Sequence, residues 1–289
     1  MVNTNFWWRF GTSLALWAVV FGLIFSGWNF GSWVVLTLFG LAAQWEFYRA
    51  QEEKHLRVYK HNGIFCGLLL FLGVGYFLVL RPEQAGNFGL FQELTFVVLI
   101  ISVLIRLVLV PEPNSTPILT VALTVFGFFY VSYLFSFAAL LSYSIHAEVE
   151  GRFLLLYLLI VTKFTDMGAY LTGMLIGRHK MIPHISPKKT WEGFVGGLVF
   201  AITVSVALAY LFPNGLKLFH SYHAYALGLL LALASVVGDL AESVVKRDAH
   251  IKDSGKSIPG IGGALDLIDS LLFTAPVLYF YLKFILLPP

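Results

Sequence analysis

Cysteine is almost absent from this 289-residue chain: Cys66, inside an apolar run, is its one thiol. A single thiol excludes a disulfide framework within the chain and a zinc site built from thiolates. Cys66 reads as a small core or lipid-facing residue. Charge is scarce as well. Asp, Glu, Lys and Arg make up 12% of the residues and hydrophobic residues 58%, whereas soluble domains carry about 25% charged residues. A soluble chain of this length has nowhere to hide so much apolar surface, so the bilayer is the expected solvent. The net charge of +3 is too small to point to nucleic acid. A soluble domain, a low-complexity tract and a convincing internal repeat are also missing. The lack of a repeat counts mildly against a repeat-built transporter.

What is present is a series of apolar runs of about 17–25 residues, long enough to cross a bilayer. About nine occur, near residues 10–26, 31–48, 63–80, 90–110, 117–142, 153–177, 193–212, 223–241 and 265–287. The expected fold is an all-α polytopic membrane protein of about nine transmembrane helices. Roughly five of them fall in an N-terminal part, 1–150, and the rest in a C-terminal part, 151–289, with loops 178–192 and 246–263. The first run follows Arg9 and could pass for a signal peptide. Similar runs recur down the chain, so it reads as the first span.

Positive charge sorts the loops. Arg49, Lys54, Arg57 and Lys60 lie in one, Arg178, Lys180, Lys188 and Lys189 in a second, and Lys246, Arg247, Lys252 and Lys256 in a third. The intervening loops hold Arg81, Arg152 and Lys217. With nine spans the three basic loops share one side, which places them and the N-terminus in the cytoplasm and the C-terminus outside. For the 49–60 loop, setting topology is an equally good account of its charge.

Three polar constellations break the apolar pattern. Lys163 and Asp166 lie three apart in the middle of the sixth run, on one helix face. Charges at membrane depth are costly and usually face a polar interior, although a structural ion pair between helices would also account for them. The stretch Ser186-Pro187-Lys188-Lys189-Thr190-Trp191-Glu192-Gly193 sets two lysines and two hydroxyls at a helix start. That combination suits phosphate oxygens, and an ordinary basic loop with a Trp anchor is the plainer alternative. The third constellation is the densest. Asp239, Glu242, Ser243 and Lys246 follow the i, i+3, i+4, i+7 spacing of one polar helix stripe. After Arg247, Lys252, Asp253, Ser254 and Lys256 come turn signals at Pro259-Gly260 and Gly262-Gly263, then Asp266 and Asp269 on the last helix. Two such carboxylates facing a helix with Asp and Ser form an oxygen cage for a hard cation, and Mg²⁺ prefers carboxylates, waters and substrate phosphates. A simple N-terminal helix charge would explain Asp266 but not the whole set.

The run Ser243-x-Val245-Lys246-Arg247-x₄-Lys252-Asp253-x-Gly255-x₂-Ile258-Pro259-x-x-Gly262-Gly263-x-x-Asp266-x-x-Asp269 resembles the signature of phosphatidate cytidylyltransferases, also called CDP-diacylglycerol synthases. The Ser186–Gly193 stretch and Asp166-x-Gly168-Ala169-Tyr170 resemble that family too, in the same order. The motifs cover roughly residues 150–289. Ile261 stands where the family usually has His, Leu267 where it usually has Arg, and Ala264 is smaller than the usual residue.

The resemblance implies that CTP and phosphatidate give CDP-diacylglycerol and pyrophosphate. The nucleophile is a lipid phosphate already ionised near neutral pH, so a strong general base is not required and Ile261 is tolerable. On this reading Asp239, Ser243, Asp266 and Asp269 hold Mg²⁺, with a monovalent cation such as K⁺ sharing the site. Lys246, Arg247 and Lys252 contact the triphosphate, with Asp253 among the substrate-binding residues. Ser186, Lys188, Lys189 and Thr190 bind phosphate of the nucleotide or lipid, and Asp166 faces the same cavity. The expected catalytic set is Asp239, Asp266, Lys246 and Asp166. The expected setting is a bacterial inner membrane with the site open to the cytoplasm and to membrane lipids, with a homodimer as a plausible assembly and no nucleic acid. A CTP-dependent kinase or a cytidylyltransferase for another lipid has similar catalytic needs. A transporter would use Lys163, Asp166 and the acidic cluster as an ion path but leaves the signature without a purpose.

Overall fold

A computed structural model describes residues 4–110, 116–143, 145–146, 149–219, 222–249, 251, 254–255, 257–258 and 262–287. The apolar runs are helices: α1 (Thr4–Ser26), α2 (Asn29–Glu53), α3 (Lys60–Leu80), α4 (Pro82–Leu109), α5 (Pro117–Ser142), α6 (Gly151–Ile176), α7 (Trp191–Leu211), α8 (Tyr222–Asp248) and α9 (Ala264–Leu286). Pro82 and Pro117 open α4 and α5, where a missing N–H costs nothing. Among the described residues two short antiparallel strand pairs interrupt the helices: β1 (Ile145–His146) with β2 (Val149–Glu150), and the hairpin of β3 (Lys180–Ile182) with β4 (Ser186–Thr190).

The protein is an all-α polytopic membrane protein. The apolar pattern predicts about nine spans, and among the described residues seven helices, α3 to α9, are long and apolar enough to cross a membrane by length and composition. The other two expected runs fall on α1 and α2. α1 runs 23 residues from Thr4 to Ser26, and among the described residues Gly11–Ser26 is its apolar stretch. In α2, Gln44, Glu46, Arg49, Gln51, Glu52 and Glu53 crowd the second half and lower its hydropathy.

The chain forms two compact units, Met1–Ala139 with Asp248–Ile268, and Leu140–Arg247 with Asp269–Pro289. The first is organised around buried polar residues of α2. The amide of Gln44 donates to Gly63 O on α3 at 3.0 Å and accepts from Ser132 Oγ on α5 at 2.8 Å. The Tyr48 hydroxyl donates to Thr124 O at 2.6 Å. In an apolar interior each such donor left unmet would cost about 1–3 kcal/mol, so the set fixes the rotation of α2 against α3 and α5.

In the second unit small residues bring helices together, as membrane interfaces favour. A Cβ on Gly193 of α7 would lie 2.7 Å from Ala169 O on α6. Hydroxyls tie the remaining pairs. Tyr157 of α6 hydrogen-bonds Ser205 of α7, Ser205 donates to Ala224 O of α8, and Thr162 of α6 donates to Thr274 of α9 at 3.2 Å.

Candidate active site

The basic stretch after α6 is not an open loop. It folds as the β3–β4 hairpin, with Lys180 opposite Thr190 and Ile182 opposite Ser186. Polar side chains without alternation hide these strands from a pattern reading. Three local features close the hairpin onto the helices. Trp191 N–H donates to His179 O at 2.9 Å. The Glu192 carboxylate accepts from the backbone of Arg178 and His179 and pairs with His179 Nδ1 at 2.5 Å. Thr190 is the N-cap of α7, its Oγ1 accepting from Gly193 N–H at 3.1 Å.

The end of β4 therefore meets the polar turns of α6 and α8. They enclose a cavity of about 290 Å³ whose wall includes Asp166, Tyr170, Lys188, Lys189, Thr190 and Asp239. Lys189 Nζ lies 2.7 Å from Asp239 Oδ2. Its ammonium is shielded from solvent and the approach is not aligned as a hydrogen bond, so the attraction is ionic. Asp166 accepts from Ser235 Oγ of α8 at 3.2 Å and stands 3.8 Å from Lys163 Nζ.

Behind Asp239 is a cluster of three carboxylates. Oxygens of Asp239, Glu242 and Asp269 lie within 4.8 Å of one another. Glu242 and Asp269 are buried, and Lys246 Nζ sits 2.5 Å from Glu242 Oε2. Gly238 makes the cluster possible: a Cβ there would be 3.0 Å from Asp269 O and 3.1 Å from Ser270 Cα. A larger residue would wedge α8 away from the α9 turn that carries Asp269. The donor set fits a divalent metal. An octahedral Mg²⁺ with oxygens at about 2.1 Å needs ligand oxygens about 3–4.2 Å apart, a spacing compatible with a cluster whose oxygens all lie within 4.8 Å of one another. Burying three like charges without compensation is costly, and two of the three already have a lysine against them.

Of the residues named from sequence, Asp239 and Asp269 are in the cluster, and Ser243 follows Glu242 on α8, half-buried. Asp266 is engaged with backbone, accepting from Ser254 N–H at 3.1 Å and Gly263 N–H at 2.8 Å. Lys246 pairs with Glu242, and Arg247 Nε donates to Ile185 O at 3.3 Å. Lys188, Lys189, Thr190 and Asp166 line the cavity, while Ser186 sits at the start of β4. Lys252 and Asp253 lie outside the described residues.

Two residues were not assigned from sequence. Glu242 was visible in the polar stripe but not counted among the ligands. Glu46 is a buried carboxylate on α2 that accepts from Leu265 N–H at 2.9 Å and from the Ser257 hydroxyl. A charge inside a membrane-length run is the signal that marks it.

Comparison with known proteins follows the same motifs. Residues 7–285 match the family model described as "Cytidylyltransferase family". A Staphylococcus aureus (strain COL) protein named phosphatidate cytidylyltransferase is 34% identical over 215 residues, 72% of this chain and 76% of that protein. A Haemophilus influenzae protein of the same name is 39% identical over 142 residues, 49% of each chain. The chain is also 39% identical over 178 residues to Escherichia coli (strain K12) "Uncharacterized protein YnbB", a match that takes in 61% of this chain and 58% of that protein.

Proposed function

The chain belongs to the cytidylyltransferase family, and from that premise we propose that it transfers the cytidylyl group of CTP to phosphatidate. The oxygen of the lipid phosphate forms a bond to the α-phosphorus of CTP. The bond from that phosphorus to the bridging oxygen breaks, and pyrophosphate leaves with the electron pair. The products are CDP-diacylglycerol and pyrophosphate. The observation that carries this reading is the pairing of opposite charges on one cavity wall, Lys188 and Lys189 beside Asp166 and Asp239.

Two polyanions must meet for this reaction, so the work of the protein is charge neutralisation and alignment. Lys188 and Lys189 supply two cations on a rigid strand and bind phosphate oxygens. The Thr190 hydroxyl is committed to the α7 cap, which keeps that strand's end in register. Asp239, Glu242 and Asp269 hold the divalent ion, Mg²⁺, with Ser243 and Asp266 as further candidates and K⁺ as a monovalent companion. Held by these carboxylates, a divalent ion would supply neutralisation of polyphosphate charge and polarisation of the phosphoryl oxygens. Lys246, Arg247 and Lys252 contact the triphosphate, and Asp253 is a further substrate-binding residue. The ionised lipid phosphate needs no base, consistent with Ile261 in place of the family's His.

The site opens to the cytoplasm, where CTP is, and sideways to lipid, in a bacterial inner membrane. The three basic loops lie on the cytoplasmic side, with the N-terminus inside and the C-terminus outside. Residues 1–150 form a supporting helical part and 151–289 the catalytic part. A second copy of the chain is the proposed partner. The test is purified protein in detergent–lipid micelles with Mg²⁺, labelled CTP and phosphatidate. A CDP-lipid and stoichiometric pyrophosphate are expected, both abolished by a chelator and restored by Mg²⁺. Free CDP as the product, or labelled product on a different lipid only, refutes the assignment.

A further inference from the structure

We propose that Glu46 is a positioning residue for this reaction: it seats the signature loop and the first turn of α9. The inference rests on the reading of the chain as a phosphatidate cytidylyltransferase and adds a residue from α2, far from every motif.

Glu46 is 2% exposed on α2. Its Oε2 accepts from Leu265 N–H at 2.9 Å, and its Oε1 accepts from the Ser257 hydroxyl. Leu265 is the second residue of α9, and its N–H is among the first four that no helical carbonyl can meet. A carboxylate at that end also opposes the positive pole of the helix dipole. Glu46 thus caps α9 from another helix.

The loop is shaped around the same carboxylate. A Cβ on Gly255 would fall 2.3 Å from Glu46 Oε1, and one on Gly263 would fall 2.5 Å from Oε2. Both glycines belong to the signature, and a Cβ at either would push the carboxylate from its place. Ile258 and Gly262 exchange two backbone hydrogen bonds, and Gly262 has φ +136°, a conformation that favours glycine. Asp266 completes the clamp by accepting from Ser254 and Gly263 N–H.

Two carboxylates therefore hold one loop, Glu46 from α2 and Asp266 from α9. Leu265 is adjacent to Asp266 and precedes Asp269 by about one helical turn. Releasing Leu265 N–H frees the first turn of α9 to rotate, which displaces the carboxylates that follow it. Glu46 acts through these groups and is not expected to touch substrate.

The experiment compares wild type with Glu46→Ala, Glu46→Gln and Ser257→Ala, each purified and checked for a cooperative melt. In Glu46→Ala, kcat falls and the Mg²⁺ half-saturation rises, each by about tenfold or more, the range typical of lost outer-shell partners. KM for CTP stays within about twofold at saturating Mg²⁺, because Glu46 acts on the metal-bearing turn and not on the nucleotide. Glu46→Gln stays near wild type, since its amide still offers Leu265 an acceptor and can donate to Ser257 Oγ. The idea is overturned if Glu46→Ala keeps wild-type kcat and Mg²⁺ dependence, or if Glu46→Gln is as impaired as the alanine variant. Amide hydrogen exchange without metal or substrate gives an independent readout. Exchange at residues 262–266 accelerates in Glu46→Ala, and unchanged protection there also overturns it. Should Glu46→Ala fail to accumulate, Ser257→Ala is judged by the same exchange criterion. Wild type that makes no CDP-lipid, with exchange altered as stated, removes the proposed reaction while the anchor stands.

Discussion

Replacing Glu242 by Gln separates the two roles its position allows. The substitution keeps the shape of the side chain and removes one of three charges in the Asp239–Glu242–Asp269 cluster. If Glu242 only balances Lys246, whose Nζ lies 2.5 Å away, the effect is on stability. Breaking a buried pair costs about 3–5 kcal/mol because the remaining charge is stranded, but Lys246 is 17% exposed and can turn toward solvent, so the loss falls below that range. If Glu242 is a metal ligand, the effect is on metal binding. Loss of an outer-shell partner alone weakens metal affinity or activity about 10–100-fold, or about 1.4–2.8 kcal/mol, and loss of a charged ligand costs at least that much. The assay is a Mg²⁺ titration of CDP-lipid formation at fixed CTP and phosphatidate. The expected result is a rise in half-saturation of at least about tenfold. Lys246→Met is the control: it breaks the same pair but leaves the carboxylate, and, assayed at saturating CTP because Lys246 also contacts the triphosphate, its Mg²⁺ half-saturation stays at or below wild type even where kcat falls. A Glu242→Gln enzyme with a lowered melting temperature and an unchanged Mg²⁺ curve refutes the ligand assignment.

Two further outcomes follow from the geometry. Gly238→Val places methyl groups where a Cβ alone already lies 3.0 Å from Asp269 O, so overpacking of about 1–3 kcal/mol should appear as a lower melting temperature, with activity lost even at high Mg²⁺. Thr190→Val removes the α7 cap that accepts from Gly193 N–H; a stability loss of about 1 kcal/mol and a raised KM for CTP with little change in kcat are expected.

Much of this arrangement was legible in sequence because it is local. Apolar length marks α3 to α9, since each is surrounded by its own run and the bilayer sets the required length. Helical spacing puts Asp239 and Glu242 on one face. Other parts have no local signature. In the β3–β4 hairpin, β3 is only Lys180-Met181-Ile182 and β4 is Ser, Pro, Lys and Thr without alternation, so its strands are defined by backbone pairing. The role of Asp266 in holding Ser254 and Gly263 depends on a turn that the spacing of carboxylates does not encode. The second helix looks like a span until its buried polar residues are counted, and Glu46 gains meaning only from partners more than two hundred positions downstream.

That separation has a consequence for how the protein is made. Glu46 precedes Ser257 by 211 residues. At a synthesis rate of about 5–20 residues per second, roughly 10–40 s pass between the two leaving the ribosome. Throughout that interval the carboxylate lacks the donors that later surround it, in a helix that must settle beside lipid. The second helix cannot be locked during its own insertion, so the first unit closes only after residue 257 has been made. A chain truncated before residue 254 should leave that unit open to proteases and quality control, however well its early spans are inserted.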